Sequence, residues 1–397
     1  MPVAGLARLR KHQFGRQLVH GTKVAAARAY AMTGVPTVEL TWTDPEVDAG
    51  SRDPVTAPYR GAAELTASLE FPAVEYDDLP LVMCGFFGGA VEPLGATASK
   101  TWTHTPASET IDEPDLFTYE FGDDVVEDWY QLGDGIIESF EFTAPVGLGP
   151  LSCSTTWRFG SVSSTGSTDA PVTGTVPTPA LAVDTNGAKV YLKDIGVYIA
   201  DDVAGLTTGL ITDAVHSFVF RGSQELDLKR YADGDQSYDI DAYGPGARVL
   251  EFEATYAKTP DIVGIDSESD DWMRDQSVIR YIRFKGTSTV EASTGPAVYY
   301  SWQVTMPMRY YTREEGTEGG NTTVILNAHA FFDAEDYDKV LESIIVNTLT
   351  ETELGEAAAL LLAAQANAEP KATRTRTRKT SRAKAKPEAT PEKAEAA

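Results

Sequence analysis

Tyr300-Ser-Trp-Gln-Val-Thr-Met-Pro-Met-Arg-Tyr310 decides the fold class, because its apolar side chains return at every second position. Tyr300, Trp302, Val304, Met306, Met308 and Tyr310 fall on one side of an extended chain, with Ser301, Gln303, Thr305 and Arg309 on the other. A period of two belongs to a strand with one buried face, whereas an amphipathic helix needs 3.6. The same alternation runs through Phe117-Thr-Tyr-Glu-Phe121, and again where Ile136, Phe140 and Phe142 oppose Ser139, Glu141 and Thr143. Helical signals are sparse. Asp77 to Phe87 opens with Asp78 placed as an N-cap and Pro80 in the first turn, and Glu351 to Ala368 is rich in Ala and Leu. The expectation is a mainly β protein with one or two helices.

The 397 residues, 42% of them hydrophobic, are ample for a core. Thirty-three Lys and Arg against 59 Asp and Glu give a formal charge of −26, which argues against a general nucleic-acid binder, since phosphate contacts need clustered cations. The charge is uneven. From Glu369 onward nine basic and four acidic residues stand among Thr, Ala and Pro with no aromatic or large aliphatic side chain, leaving a net −31 over residues 1–368. Such a tail cannot bury a core and is expected to be disordered. The first 28 residues hold Arg8, Arg10, Lys11, Arg16, Lys23 and Arg28 and no acid, which reads as a basic arm or a frayed, solvated end. No secretory signal follows these residues, and the aliphatic run Ala357 to Ala364 is less than half a membrane span, so a soluble, cytosolically made chain without a membrane span is expected. Cys84 and Cys153 are too few for a disulfide scaffold and read as small buried hydrophobes.

The stretch from Gly160 to Asp184, with Pro171, Pro177 and Pro179, reads as a linker, and the two sides of it echo one another. Phe14 to Gly21 matches Tyr198 to Gly205, and Val35 to Leu40 matches Val215 to Phe220. Glu64 to Phe71 matches Val249 to Tyr256, and Phe117 to Phe121 matches Tyr300 to Val304. A hairpin from Ile136 to Phe159 matches one from Met306 to Phe331. Tandem duplication is expected: a first β domain over 1–165, a Ser/Thr/Pro-rich linker over 166–185, a second β domain over 186–350, and a helix followed by the basic tail over 351–397.

Catalytic and metal-binding patterns are lacking. The glycines and lysine of Gly15 to Lys23 have the wrong spacing for a phosphate-cradling loop, and neither H-E-x-x-H nor G-x-S-x-G occurs. His12, His20, His104, His216 and His329 are scattered. Asp233 to Asp241 lacks the turn glycine and closing Glu of a calcium loop. The acidic clusters Asp123 to Asp128 and Asp266 to Asp271 could supply a glycosidase carboxylate pair, but solvated loops are the commoner fate of such runs. Asn321-Thr-Thr323 is a glycosylation sequon that has meaning only in a secreted chain. The chain is expected to be no enzyme, with no cofactor and no metal.

The non-catalytic phrases carry the remaining information. Gln13-Phe-Gly-Arg16, His20-Gly-Thr-Lys23-Val-Ala-Ala26, Asp77-Asp-Leu-Pro80, Gly88-Gly89 and Trp102-Thr-His-Thr-Pro106 occur in order. They are followed by Asp115 to Asp123 and by Leu132-Gly-Asp-Gly135-Ile-Ile-Glu-Ser139-Phe140. This succession resembles the major tail tube proteins of long non-contractile-tailed (siphovirus-type) bacteriophages of actinobacterial hosts, over most of residues 10–160 and more weakly at Leu341 to Leu349. The resemblance implies β-sandwich or barrel domains with a flanking short helix, whose strands join across subunits into rings, stacked as a conduit for genome passage in the virion tail after assembly in the host cytoplasm. It implies a homo-oligomeric ring, a trimer with pseudo-sixfold symmetry if the chain is duplicated or a hexamer if not. Tape measure, tail terminator and distal tail proteins would be its partners, and double-stranded DNA would pass through without specific binding. An acidic lumen suits that passage, because carboxylates repel phosphate. Ser139, Glu141, Thr143, Gln303 and Thr305 are the candidates for lumen-facing positions, unless those faces look outward to solvent. Arg8, Arg10, Lys11, Arg16 and Lys23 are the candidates for an arm contacting the next subunit. The competing class is a virion decoration or host- or carbohydrate-binding β-sandwich protein, with Trp42, Trp102, Trp129 and Trp272 as candidates for an aromatic platform.

Overall fold

In the computed structural model the described residues are 10–17, 20–43, 46–47, 55–56, 59–88, 99–106, 115–123, 128–147, 149–164, 181–183, 187–211, 214–229, 242–259, 279–294, 297–318, 320–333 and 337–354. Contacts divide the chain into residues 1–358 and 359–397, and all described residues belong to the first part. The basic tail, the calcium-like run Asp233 to Asp241, the cluster Asp266 to Asp271 and most of the linker lie outside the described residues.

Strand residues make up 69% of those described, and every strand pairing is antiparallel, so the chain is mainly β. The N-terminal half contributes β1 (Arg10–Gln17), β2 (Arg28–Ala29), β3 (Thr33–Thr43), β4 (Glu46–Val47), β5 (Val55–Thr56) and β6 (Tyr59–Phe71). After helix α1 (Leu79–Phe87) come β7 (Lys100–His104), β8 (Leu116–Asp123), β9 (Asp128–Ala144), β10 (Ser152–Phe159) and β11 (Ser161–Ser164). The C-terminal half contributes β12 (Ile195–Ala200), β13 (Leu210–Ile211), β14 (Val215–Lys229) and β15 (Ala242–Ala257). It continues with β16 (Arg280–Thr294), β17 (Ala297–Glu318), β18 (Asn321–Ala330) and β19 (Glu342–Asn347). The alternating stretch quoted first is the centre of β17.

Pairing follows one scheme in both halves. In the first, β2–β1–β8–β9–β10–β6–β3 are successive neighbours, with β11 beside β9. In the second, β13–β12–β16–β17–β18–β15–β14 are successive neighbours, with β19 beside β17. The irregularities recur too. The β3–β6 ladder steps from Leu40 opposite Ala63 to Trp42 opposite Arg60, and β14–β15 steps from Gln224 opposite Arg248 to Leu226 opposite Pro245. The β9–β10 ladder skips Glu138, and the β17–β18 ladder skips Tyr311. Bulges pin register, so these steps align the two halves residue by residue.

The halves share sheet and core. Strand β14 pairs along its second edge with the end of β9, and β19 pairs with β7. Phe142 lies 4.9 Å from Trp302 between ring centroids, Phe140 lies 5.2 Å from Phe220, and all four side chains are buried. Gln224 donates to the Ile137 carbonyl at 2.5 Å, and Asn347 to that of Tyr76 at 3.1 Å.

Helix α1 forms where Asp78 and Pro80 foretold it, although Asp78 makes no side-chain cap hydrogen bond. All nine residues of α1 are buried, so it is an enclosed core element rather than an amphipathic flank. Phe86 meets Phe140 edge-on at 4.8 Å. At Gly85 a Cβ would lie 3.0 Å from Ile137 and 3.1 Å from Trp157, which is why the helix and sheet approach so closely there. Cys84 and Cys153 are both buried, and neither is in a disulfide. Of the expected Glu351 to Ala368 helix, the described part is the single turn Glu351–Leu354.

Asp78 enters this core as a carboxyl. Its Oδ2 accepts the Glu75 N–H at 2.9 Å, and burial pushes its pKa from 3.8 up to about 7. The folded state therefore holds the proton more tightly than the unfolded chain, and the resulting stabilisation is lost as pH rises from about 4 through 7. Asp78→Asn keeps the acceptor and removes the charge. Thermal unfolding is expected to show the variant stabilised above pH 7, by on the order of 3 kcal/mol, with little difference at pH 4. Equal shifts at both pH values would refute this. Buried His12 and His104, each lowered to about 4 by burial, work in the opposite sense below pH 6.5 and cancel in the difference between variant and parent.

Candidate functional site

Eight strands, β3–β6–β10–β9–β14–β15–β18–β17, form one continuous sheet, four from each half. Period-two alternation gives it two unlike faces. The inner face carries Leu65, Leu69, Trp157, Phe140, Phe142, Phe218, Phe220, Phe252 and Leu326, all buried. The other face is polar. Reading across the ladders, Thr33, Glu70, Ser154, Glu141, Arg221, Glu251, His329 and Arg309 stand opposite one another in a single row through all eight strands.

Arg221 sits at the middle of this row, where the two halves join. Its nitrogens lie 3.4 Å from Glu141, 3.5 Å from Glu251 and 3.3 Å from Glu253. All of these side chains are between about a quarter and a half exposed, so the ion pairs are solvent-screened and add little stability each. Their effect is to partly neutralise three carboxylates, while Glu64, Glu70 and Glu314 elsewhere on the face remain exposed. Glu39 even stands directly opposite Glu64, a like-charge pair that costs stability and keeps the face anionic. His329 stacks on Tyr311 at 3.9 Å and reaches Glu251 at 3.4 Å. A hollow of about 280 Å³ on this face is lined by the hydroxyls of Ser139, Ser154, Thr156 and Ser223 together with Glu141, Arg221 and Glu251.

Ser139, Glu141 and Thr143 lie half-buried on this face. Gln303 and Thr305 do not belong to it. They stand on the N-terminal part of β17, between β16 and β19. Thr305 is completely buried: Arg283 Nε donates to its Oγ1 at 3.0 Å, and the Tyr337 hydroxyl donates to its carbonyl at 3.4 Å. The bulges show that Thr312, Glu314 and Gly316, not Gln303 and Thr305, correspond to Ser139, Glu141 and Thr143.

The basic segment is also placed differently. Arg8 lies outside the described residues, but Arg10, Lys11 and Arg16 belong to β1, a full sheet strand with Phe14 buried at its centre. Arg16 pairs with Asp115 at 2.9 Å, and the Lys23 stem runs over Gly133, where a Cβ would sit 2.8 Å from it. Residues 10–17 are thus part of the sheet framework rather than a loose arm. Among the platform candidates, Trp102 is fully buried and Trp129 nearly so, while Trp272 lies outside the described residues.

Among the described residues no group of three or more His, Cys, Asp and Glu is arranged to hold a metal ion, and no helix is long and apolar enough to cross a membrane. No family model and no curated protein matches the chain. Among solved structures, the SPP1 tail tube, determined by solid-state NMR and cryo-EM, aligns with a TM-score of 0.25 and 12% identity over 41% of this chain and 81% of that one. The chain is thus weakly similar to one tail tube protein.

Proposed function

We propose that the chain is a structural virion protein that polymerises into stacked rings forming a phage tail tube, with the polar sheet face lining the conduit. The observation that carries this reading is the eight-stranded sheet itself: two four-stranded units of one design already joined edge to edge, apolar on one side and anionic on the other. A sheet with free margins is completed by closure, which satisfies its backbone groups at every boundary. Three copies close a barrel of about 24 strands, roughly 48 Å across at the backbone for a 4.8 Å strand spacing and a tilt near 40°. That width passes a duplex with the side chains in place. Each chain supplies two equivalent units, so the ring is a trimer with pseudo-sixfold symmetry. Double-stranded DNA moves through it unbound, repelled by the wall. The protein works in the tail after assembly in the host cytoplasm. Tape measure, terminator and distal tail proteins are its partners inside and at the ends, and the chain performs no catalysis.

Negative-stain electron microscopy of the purified protein at high concentration tests this. Hollow tubes of uniform width are expected; discrete particles would favour a decoration or adhesin role, and monomers with no higher order would refute the ring.

A further inference from the structure

The join between the two halves has a counterpart that the single chain leaves open. Inside the chain, Phe218 to Ser223 of β14 pair with Ala144 to Ser139 of β9, on the side of β9 that β8 vacates after Gly135. In the corresponding places, β17 is left by β16 after Met308 and runs on to Glu318 with only β18 beside it, and β3 has only β6 beside it, among the described residues. We infer that β3 of one copy pairs with the Thr312 to Thr317 segment of β17 in the next copy, repeating between chains the β14–β9 ladder found within one.

The bulges fix the register. Leu40 and Trp42 correspond to Gln224 and Leu226, and Glu138 corresponds to Tyr311. Carried through the β14–β9 register, these place Val35 opposite Gly316, Thr37 opposite Glu314 and Glu39 opposite Thr312. The geometry is head-to-tail, each copy giving one edge and receiving another, which closes a ring when the rotation allows. Val35 and Tyr311, two of the large apolar side chains left 43% exposed, sit at these two edges, as expected of surface that a second copy covers. Pro36 has no N–H, so one donor is missing from one of the two ladders that β3 makes in this arrangement. Its flanks differ as well: Arg313 and Glu315 stand where the internal join has Phe140 and Phe142, which makes the seam between copies more polar and separable.

This deepens the ring reading and rests on it. The test is cross-linking of the full chain carrying Thr37→Cys and Glu314→Cys with a short bis-maleimide, the native cysteines being buried. A ladder of covalent oligomers is expected for the double variant, at least tenfold above either single variant and above Thr37→Cys with Thr312→Cys, which probes a two-residue slip. Tubes without the ladder would overturn the strand assignment and leave the tube reading standing. The ladder in particles that are not tubular would uphold the strand pairing and remove the tube. Neither ladder nor assembly would remove both.

Discussion

Replacing Trp302 by alanine is expected to cost about 3–5 kcal/mol, the usual range for emptying a fully buried Trp site, out of a stability that for most proteins is only about 5–15 kcal/mol. Trp302 is completely enclosed. Its indole N–H donates to Ser343 Oγ at 3.2 Å, and its ring meets Phe284 at 5.0 Å and Phe142 at 4.9 Å. Phe142 belongs to the other half, so the cavity opens at the join rather than inside one unit. Loss of protection is therefore expected in both halves together, read by hydrogen exchange at β6 and β10 as well as at β15 and β18. Persistent protection of β6 and β10 in a variant whose C-terminal half exchanges freely would show two independent folding units and contradict the shared core.

The second large effect concerns the polar face. Glu64, Glu70 and Glu314 are exposed on the polar face, and each can be replaced by Lys with little effect on the core. In a trimeric ring this places about nine cations around the conduit, repeated at every stacked ring; with six to ten phosphate contacts, affinity falls by about 10³–10⁵ between 50 and 200 mM salt. Assembled parent protein is expected to retain no duplex DNA at low salt, while the triple variant retains it strongly and releases it as salt rises. Equal retention by parent and variant would place the acidic face outside the DNA path.

Strand content was plain in the sequence because single-face burial writes itself as alternation, as in Phe140 and Phe142 against Ser139 and Glu141. The echo of Glu64–Phe71 in Val249–Tyr256 falls on β6 and β15, which are true counterparts. The echo of Phe117–Phe121 in Tyr300–Val304 does not. The counterpart of β8 is β16, whose Lys285 to Thr289 run is polar on both sides and hides its period. That slip displaced the second set of lumen candidates to Gln303 and Thr305. Arg221, Glu251 and His329 went unnoticed because each is ordinary in its own strand, and only cross-strand register puts them in one row. Charge alone did not reveal that residues 10–17 form a strand: the basic residues of β1 flank a buried run, His12 to Gly15, that pairs with β8.

The proposed ring would have joints of two strengths around its circumference. Where β14 meets β9 the polypeptide is continuous and Asn347 ties the same two halves again through Tyr76, while the alternate joints would be held by noncovalent contacts alone. Under internal pressure or bending such a wall would give way at every second joint, so breakage would release intact chains and not isolated half-units.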